Sequence, residues 1–270
     1  MPDEIDYTHL RPANKQISFV STRVISALIL REMSGSNGRA IGGYFWAVAE
    51  PVLGIALLSA LFSFGFRHPP IGTNFAIFYA TGLLPFFMFF DISNKVAQSL
   101  NFSKALLGYR RVTFFDAIVA RTILATLTQL LVGAFVFSGI LLLFDTRTIL
   151  DIPSLLLSYA MAVALAMSIG TMNAVIMAFL PAWQRVWGVL TRPLLIVSGV
   201  VILPQNIPQP FRDYLWYNPL VHVTGQMRGA FYYTYNTDYV SPLYVFGLCI
   251  AIGALSMLFL RRYHRDILEF

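Results

Sequence analysis

The stretch IPSLLLSYAMAVALAMSIGTMNAVIMAFL, residues 152–180, contains no charged side chain. At a rise of about 1.5 Å per residue, a helix of this length measures about 43 Å, whereas the hydrocarbon core of a bilayer is about 30 Å thick. The stretch is long for one upright span and too short for two spans joined by a turn. It therefore predicts one long, tilted transmembrane helix.

The rest of the chain has the same apolar character. Of its 270 residues, 57% are hydrophobic and 12% are charged, against about 25% charged in an ordinary soluble domain. The predicted fold is an all-α polytopic membrane protein, a single domain over 1–270 with about six transmembrane helices. Five more spans are predicted at about 41–64, 75–99, 117–144, 186–203 and 243–260. An amphipathic helix at 14–33 is predicted to lie in the membrane interface, and 205–240 to form short re-entrant or periplasmic helices before the last span.

The basic residues predict the orientation. With the N-terminus in the cytoplasm, fifteen of the 19 Lys and Arg residues fall on the cytoplasmic side. Only Arg67, Arg147, Arg212 and Arg228 fall outside, so both termini are predicted to be cytoplasmic. The basic residues lie between spans and form no single basic face, which argues against nucleic acid as a partner. The polar, acidic start of the chain lacks the features of a cleaved signal peptide.

Several kinds of chemistry are missing from the sequence. The three lysines follow Asn14, Asn94 and Ser103, so no Walker A motif exists. The four histidines are scattered without HExxH spacing, and the single cysteine, Cys249, has no partner for an intramolecular disulfide or a metal site. No pair of carboxylates lies within a span to act as acid and base. We therefore expect no catalytic site, metal or cofactor in this chain, and an energy source in a partner or an ion.

The entry to the first span carries an acid followed by proline. Glu50 precedes Pro51 inside the span, where a carboxylate is costly and is a functional candidate by default. The structural alternative is that neighbouring donors satisfy Glu50 and that it fixes a kink. Tyr44 and Trp46 are either interfacial anchors or contacts for sugar rings of a substrate.

The connection after the second span is long for a simple link. Residues 99–121 contain two short amphipathic pieces around Gly108-Tyr109-Arg110. One interpretation is a docking helix for a cytoplasmic protein, and the other is contact with lipid headgroups.

Basic residues flanked by indoles mark the start of the fifth span. Trp183, Arg185, Trp187 and Arg192 could guide an anionic, sugar-bearing substrate, and Arg192 should face a protein interior or an aqueous cavity. The alternative for Arg185 is that it snorkels to the interface. Further on, Arg228 lies in a broken helix at the outer side.

These segments together resemble the ABC-2 type permeases of polysaccharide export, and most closely the capsular polysaccharide export permeases of Gram-negative bacteria. The matching residues cover nearly the whole chain in order: Leu30-Arg31-Glu32, Gly38-Arg39, Gly43-Tyr44 with Trp46 and Glu50-Pro51, TGLLPFFMF at 81–89, and Asn218-Pro219-Leu220 with Arg228. Phe86 stands where many members of that family have tryptophan, a similarly large apolar side chain.

The resemblance implies the inner-membrane subunit of an exporter, which works as a homodimer. Two separate nucleotide-binding subunits would hold ATP and Mg, a periplasmic copolymerase or adaptor and an outer-membrane channel would complete the path, and the cargo would be a lipid-linked acidic polysaccharide. The implied substrate-channel residues are Arg39, Tyr44, Trp46, Glu50, Trp183, Arg185, Trp187 and Arg192. The implied ATPase-coupling residues are Arg31, Glu32, Leu107, Gly108, Tyr109 and Arg110. The implied periplasmic gate residues are Tyr217, Asn218, Pro219, His222 and Arg228.

Other functions are compatible with parts of this pattern. An ABC-2 permease for O antigen, teichoic acid, a drug or a small lipid would differ only in cargo. A membrane-embedded glycosyl- or acyltransferase acting on lipid-linked sugars is disfavoured, because no acid-base pair is present.

Overall fold

The computed structural model describes residues 20–36, 43–107 and 112–269, and the side chains of 21–33, 45–103 and 112–263. This part of the chain is helical without strands, which confirms the predicted all-α fold class. Its ten α-helices are α1 Val20–Ser36, α2 Gly43–Gly65, α3 Phe75–Ala97, α4 Ser99–Leu107, α5 Phe114–Leu143, α6 Ile152–Phe179, α7 Trp183–Val197, α8 Phe211–Trp216, α9 Pro219–Phe231 and α10 Pro242–Glu269.

Five of these helices are long and apolar enough to cross a membrane. They are α2, α3, α5, α6 and α10, with segments of 21 to 30 residues and mean hydropathies of 1.7 to 2.4. The helix α6 begins at Ile152 and ends at Phe179, and is one uninterrupted helix of 28 residues. The chain is therefore a polytopic membrane protein.

The centre of the structure is α3, which packs against α6, α5, α2 and α9. Most of its side chains are buried, from Ile77 through Val96. On α6, the small residues Ala162, Ala166 and Ala174 are buried at multiples of four positions. Small side chains at this spacing allow helix backbones to approach closely, which is how spans associate where hydrophobicity gives no driving force.

The sequence around Thr113 determines where α5 begins. Thr113 accepts a hydrogen bond from the backbone N–H of Asp116, and Asp116 accepts one from the backbone N–H of Thr113, which forms a capping box at the start of α5. The second amphipathic piece predicted in 99–121 is therefore the first turn of this span. The first piece is α4, a separate nine-residue helix.

The structure differs from the prediction at the fifth span, 186–203. The helix α7 has 15 residues and spans about 22 Å, which is too short for a hydrocarbon core of about 30 Å. It ends because Gly199 has φ +74°, a left-handed conformation that favours glycine. Five long spans and one short helix thus replace six regular spans in the described part of the chain.

The chain after α7 continues as irregular backbone held against α3. A β-carbon added at Gly82 would lie 3.1 Å from the α-carbon of Val200, so the two backbones are nearly in contact. Val200 and Leu203 are buried. Non-helical backbone at membrane depth is tolerated where protein surrounds it. We therefore treat α7 together with 198–203 as one interrupted element.

Two polar contacts show which loops lie on the side of the molecule opposite to α1 and α4. Thr73 donates a hydrogen bond to the carbonyl of Thr146 at 3.4 Å, and the backbone N–H of Asp151 donates to Ala230 at 2.8 Å. The loops 66–74 and 144–151 and the end of α9 therefore lie together. This is the side that the charge bias predicts to be periplasmic, and it is named the outer side below.

The predicted orientation is testable with single cysteines in a Cys249→Ala background. Asn236 is exposed on the outer side, and Gln184 is exposed in the first turn of α7 on the other side. A cysteine at Asn236 should react with a membrane-impermeant thiol reagent added to intact cells or spheroplasts. A cysteine at Gln184 should react only after permeabilisation. The reverse pattern would overturn the N-in, C-in topology.

Candidate functional site

The predicted channel residues of α7 occupy two sides of that helix. The indole Nε1–H of Trp183 donates to Asn173 Oδ1 of α6 at 2.9 Å, and Trp187 packs against the hydrophobic core. Arg185 and Arg192, seven positions apart, are both exposed. Residues separated by seven positions lie on the same side of a helix. The indole of Trp183 therefore holds α7 on α6, and both guanidinium groups lie on the exposed side of α7.

The predicted channel residues of α2 lie on a largely exposed helix. Trp46 is 62% exposed, and Glu50 is exposed one residue before Pro51, which α2 includes without ending. Within the described side chains, no hydrogen bond or ion pair joins Glu50 to Arg185 or Arg192. Arg39 and the side chain of Tyr44 lie outside the described residues.

A buried ion pair joins α1 to α5. Arg121 Nε lies 3.2 Å from Glu32 Oε1, and the two side chains are 9% and 11% exposed. Arg121 Nη1 also donates to the carbonyl of Lys95 of α3 at 3.0 Å, and its guanidinium lies 4.2 Å from the ring centroid of Phe102 of α4. One guanidinium on α5 thus contacts α1, α3 and α4. We call Glu32, Lys95, Phe102 and Arg121 the coupling cluster.

Further polar contacts surround the coupling cluster. The guanidinium of Arg31 lies 5.5 Å from the ring centroid of Phe102. Lys95 Nζ donates to Asp91 Oδ2 at 2.8 Å, and Gln129 of α5 donates to the same oxygen at 2.9 Å. Of the predicted coupling residues, Arg31 therefore lies against α4, the helix that continues toward the predicted docking segment, and Glu32 contacts Arg121, which packs on the same ring of α4.

The other predicted ATPase-coupling residues lie partly or wholly outside the described residues. Leu107 ends α4, with its side chain outside the described residues, and Gly108, Tyr109 and Arg110 lie outside them altogether. Arg121 was not predicted to be a site residue and was counted only among the cytoplasmic basic residues. The available signal was its position inside the predicted third span, 117–144, because ionisable residues within spans mark functional or structural sites.

A second buried guanidinium holds the break after α7. Arg228 of α9 is fully buried, and its Nη2 donates to the carbonyl of Val200 at 2.9 Å. The same guanidinium lies 4.7 Å from the ring centroid of Phe78 of α3. No carboxylate within the described side chains pairs with it. Its charge is accommodated by a carbonyl dipole and an aromatic face.

Other side chains of α9 and its cap bind the last turn of α7. Thr224 Oγ1 donates to the carbonyl of Ser198 at 2.8 Å. Asn218 Nδ2 lies 3.3 Å from the carbonyl of Val197, and Asn218 Oδ1 also caps α9 by accepting from the N–H of Leu220. The last carbonyls of a helix lack internal partners. We call Val197–Val200 with Asn218, Thr224 and Arg228 the outer junction.

His222, predicted to belong to the gate, is buried in this region as a neutral side chain. Its Nδ1 accepts from the backbone N–H of Ser241 at 3.1 Å, so its Nε2 carries the proton and donates to the carbonyl of Trp216 at 2.8 Å. Burial lowers the pKa of His222 below its ordinary value. Both nitrogens are satisfied in the uncharged form, which fits a role in holding α8 and α10 together.

Two of the predicted gate residues lie at the outer junction. Asn218 contacts Val197, the last residue of α7, and Arg228 contacts Val200 just after it, while Pro219 is the first residue of α9. The predicted channel residues Trp183, Arg185, Trp187 and Arg192 lie earlier on α7. Tyr217 is 67% exposed at the end of α8.

A comparison with models of known protein families matches most of the chain. The family model described as "ABC-2 type transporter" matches residues 23–232, which include the coupling cluster and the outer junction. The chain belongs to the ABC-2 type transporter family. Members of this family are transport subunits, so an ATPase partner is implied for this chain.

Curated relatives point to a narrower group within the family. The polysialic acid transport protein KpsM of Escherichia coli is 30% identical over 82% of this chain and 86% of its own length. The capsule polysaccharide export inner-membrane protein CtrC of Neisseria meningitidis is 24% identical over 92% and 94% of the two chains. The protein of the same description from Haemophilus influenzae, BexB, is 25% identical over 94% and 96%. The resemblance read from the sequence is confirmed.

The coupling cluster yields a stability prediction. Glu32→Gln leaves the buried Arg121 guanidinium without its counter-charge and should lower the free energy of unfolding by about 3 to 5 kcal/mol. Asp145→Asn is the matched control, because Asp145 and Arg147 form a pair at 3.9 Å with side chains 82% and 77% exposed. That exposed pair should contribute nothing measurable. Thermal unfolding in detergent checks both, and equal melting temperatures for the two variants would contradict the assigned burial.

Proposed function

We propose that this chain is the permease subunit of an ABC exporter in a bacterial inner membrane, where it moves a lipid-linked acidic capsular polysaccharide from cytoplasm to periplasm. The observation that carries the proposal is the set of relatives named for capsule polysaccharide export, which align over most of both chains. One of them is named for polysialic acid, an acidic polymer.

The chemistry of α7 supports an anionic cargo. Arg185 and Arg192 lie exposed on the same side of this helix. A guanidinium at the centre of a span costs about 2.5 to 3.5 kcal/mol on insertion scales, somewhat less toward the interface. A water-filled path for a negatively charged polymer would give both charges a favourable environment and would attract the polymer.

The same exposed charges support a homodimer. In the single chain, α2 and α7 leave Trp46, Glu50 and Arg192 without cover from other helices. Charged groups facing hydrocarbon are strongly disfavoured, whereas charged groups between subunits can line an aqueous channel. A second copy of the chain would enclose these faces.

Energy is proposed to come from two separate ATPase subunits that bind ATP and Mg. The helices α1 and α4 meet at the coupling cluster, and α4 leads into Gly108-Tyr109-Arg110, the predicted docking segment. Movement of the ATPases against α4 would reach α5 and α3 through Arg121, which contacts both α4 and α3. A periplasmic adaptor and an outer-membrane channel are proposed as further partners.

Export by Arg192 variants tests the proposed cargo and path. In cells that lack the chain, the wild type should restore lipid-linked polysaccharide to the surface. Arg192→Gln should reduce export several-fold, because one positive charge along the path is lost, while Arg192→Lys should retain part of the activity. Surface polysaccharide is measured against the amount of permease in the membrane.

Arg147→Gln provides the control, since Arg147 is exposed on an outer-side loop, and it should export normally. If lysine damages export and lowers the melting temperature as much as glutamine does, Arg192 anchors a neighbour and does not line the path. If the wild-type chain restores no acidic polysaccharide, the proposed cargo is wrong.

A further inference from the structure

An open cleft on the outer side is lined by aromatic and polar side chains. It has a volume of about 490 Å³ and lies along one side of α8, within the range of about 300 to 1,000 Å³ typical of small-molecule sites. Three aromatic rings and three polar side chains line it: Trp216, Tyr217, Tyr239, Gln209, Arg212 and Asp213. We call it the α8 cleft.

Hydrogen bonds hold the aromatic side of the α8 cleft in place. The indole Nε1–H of Trp216 donates to the carbonyl of Tyr239 at 3.0 Å, and the hydroxyls of Tyr235 and Tyr239 lie 2.6 Å apart. The Tyr244 hydroxyl donates to the carbonyl of Tyr217 at 2.8 Å. Ring positions fixed before a ligand arrives reduce the entropy cost of binding it.

The polar side chains of the α8 cleft are free to bind. Arg212 is exposed and, within the described residues, forms no ion pair. Beside it, Asp213 and Gln209 are also exposed. A guanidinium binds carboxylates through two parallel hydrogen bonds. The neighbouring carboxylate and amide accept hydrogen bonds from hydroxyls. A polyhydroxylated acid satisfies the whole set.

A second cavity separates the α8 cleft from the outer end of α7 and adjoins both. This cavity has a volume of about 390 Å³ and is lined by Ile196 and Val197 of α7. It shares Pro204 and Leu215 with the α8 cleft. The two cavities are therefore neighbours, one at the end of the proposed channel helix and the other beside the aromatic and charged side chains of α8.

We propose that the α8 cleft is a saccharide-binding subsite that holds a short stretch of acidic sugar residues on the outer side. Arg212 binds the sugar carboxylate, Asp213 and Gln209 bind ring hydroxyls, and the rings of Trp216 and Tyr217 lie against the apolar faces of the sugars. This inference rests on the proposed export of an acidic polysaccharide. A subsite beyond the outer junction would bind the polymer as it emerges and would therefore oppose its return into the channel.

Binding of two matched oligosaccharides to the purified full-length chain tests the proposal. The probes are hyaluronan tetrasaccharide, which carries glucuronate carboxylates, and the uncharged N-acetylglucosamine tetramer. Wild type should bind hyaluronan saturably and the uncharged tetramer more weakly. Arg212→Gln removes one charge-assisted hydrogen-bonding group and should weaken hyaluronan binding about tenfold without affecting the uncharged tetramer. Tyr217→Ala should weaken binding of both probes.

Two control variants change the same residue types elsewhere on the outer side. Arg147→Gln and Tyr233→Ala alter exposed side chains that do not line the α8 cleft, and both should bind the probes as the wild type does. Melting temperatures of all four variants verify folding. Absent binding to the wild type, or unchanged binding by Arg212→Gln and Tyr217→Ala, overturns the subsite. The export assay on the wild type separates this failure from failure of the proposed function, because export can be normal while the α8 cleft binds nothing.

Discussion

The structure depends on how the backbone is satisfied where α7 stops. In hydrocarbon, an unpaired carbonyl costs several kcal/mol, so spans are normally unbroken helices. Here α7 ends at Val197, and the released carbonyls of Val197, Ser198 and Val200 accept from Asn218, Thr224 and Arg228. Because these donors belong to α9 and its cap, α9 must lie against the break and against α3. The outer half of the fold follows from this requirement, including the position of α8 and the cleft beside it.

The inner half is organised by a second guanidinium. Arg121 contacts α1, α3 and α4 from α5, as Arg228 contacts α3 and the backbone after α7. The two sites share one helix: α3 meets Arg228 at Phe78 and Arg121 at Lys95. The helix α3 therefore has one polar hub near each end, one on the proposed ATPase side and one at the proposed gate.

Much of this architecture could be predicted from the sequence, because a helix that crosses a bilayer needs about 20 predominantly apolar residues. Long, predominantly apolar runs with few charged residues predicted the five long helices, as the run from Ile152 shows. The interruption at Gly199 could not be predicted, since the apolar run 186–203 satisfies the same hydropathy rule whether or not it is helical. Whether this run is helical to its end depends on hydrogen-bond donors from Asn218 and Arg228, which are distant from it in sequence. For the same reason the sequence marked Arg228 as a gate residue without indicating that its partner is Val200, and Arg121 could not be paired with Glu32.

Hydrogen–deuterium exchange across residues 198–203, compared between the wild type and Arg228→Met, tests the central claim that α9 holds the break in α7. Residues 198–203 should exchange slowly in the wild type, although they are not helical. They should exchange markedly faster in Arg228→Met, while peptides from α10 should exchange at the same rate in both proteins. Fast exchange in the wild type, or identical exchange in the two proteins, would contradict the claim, because the irregular segment would then be held by something other than the side chains of α9.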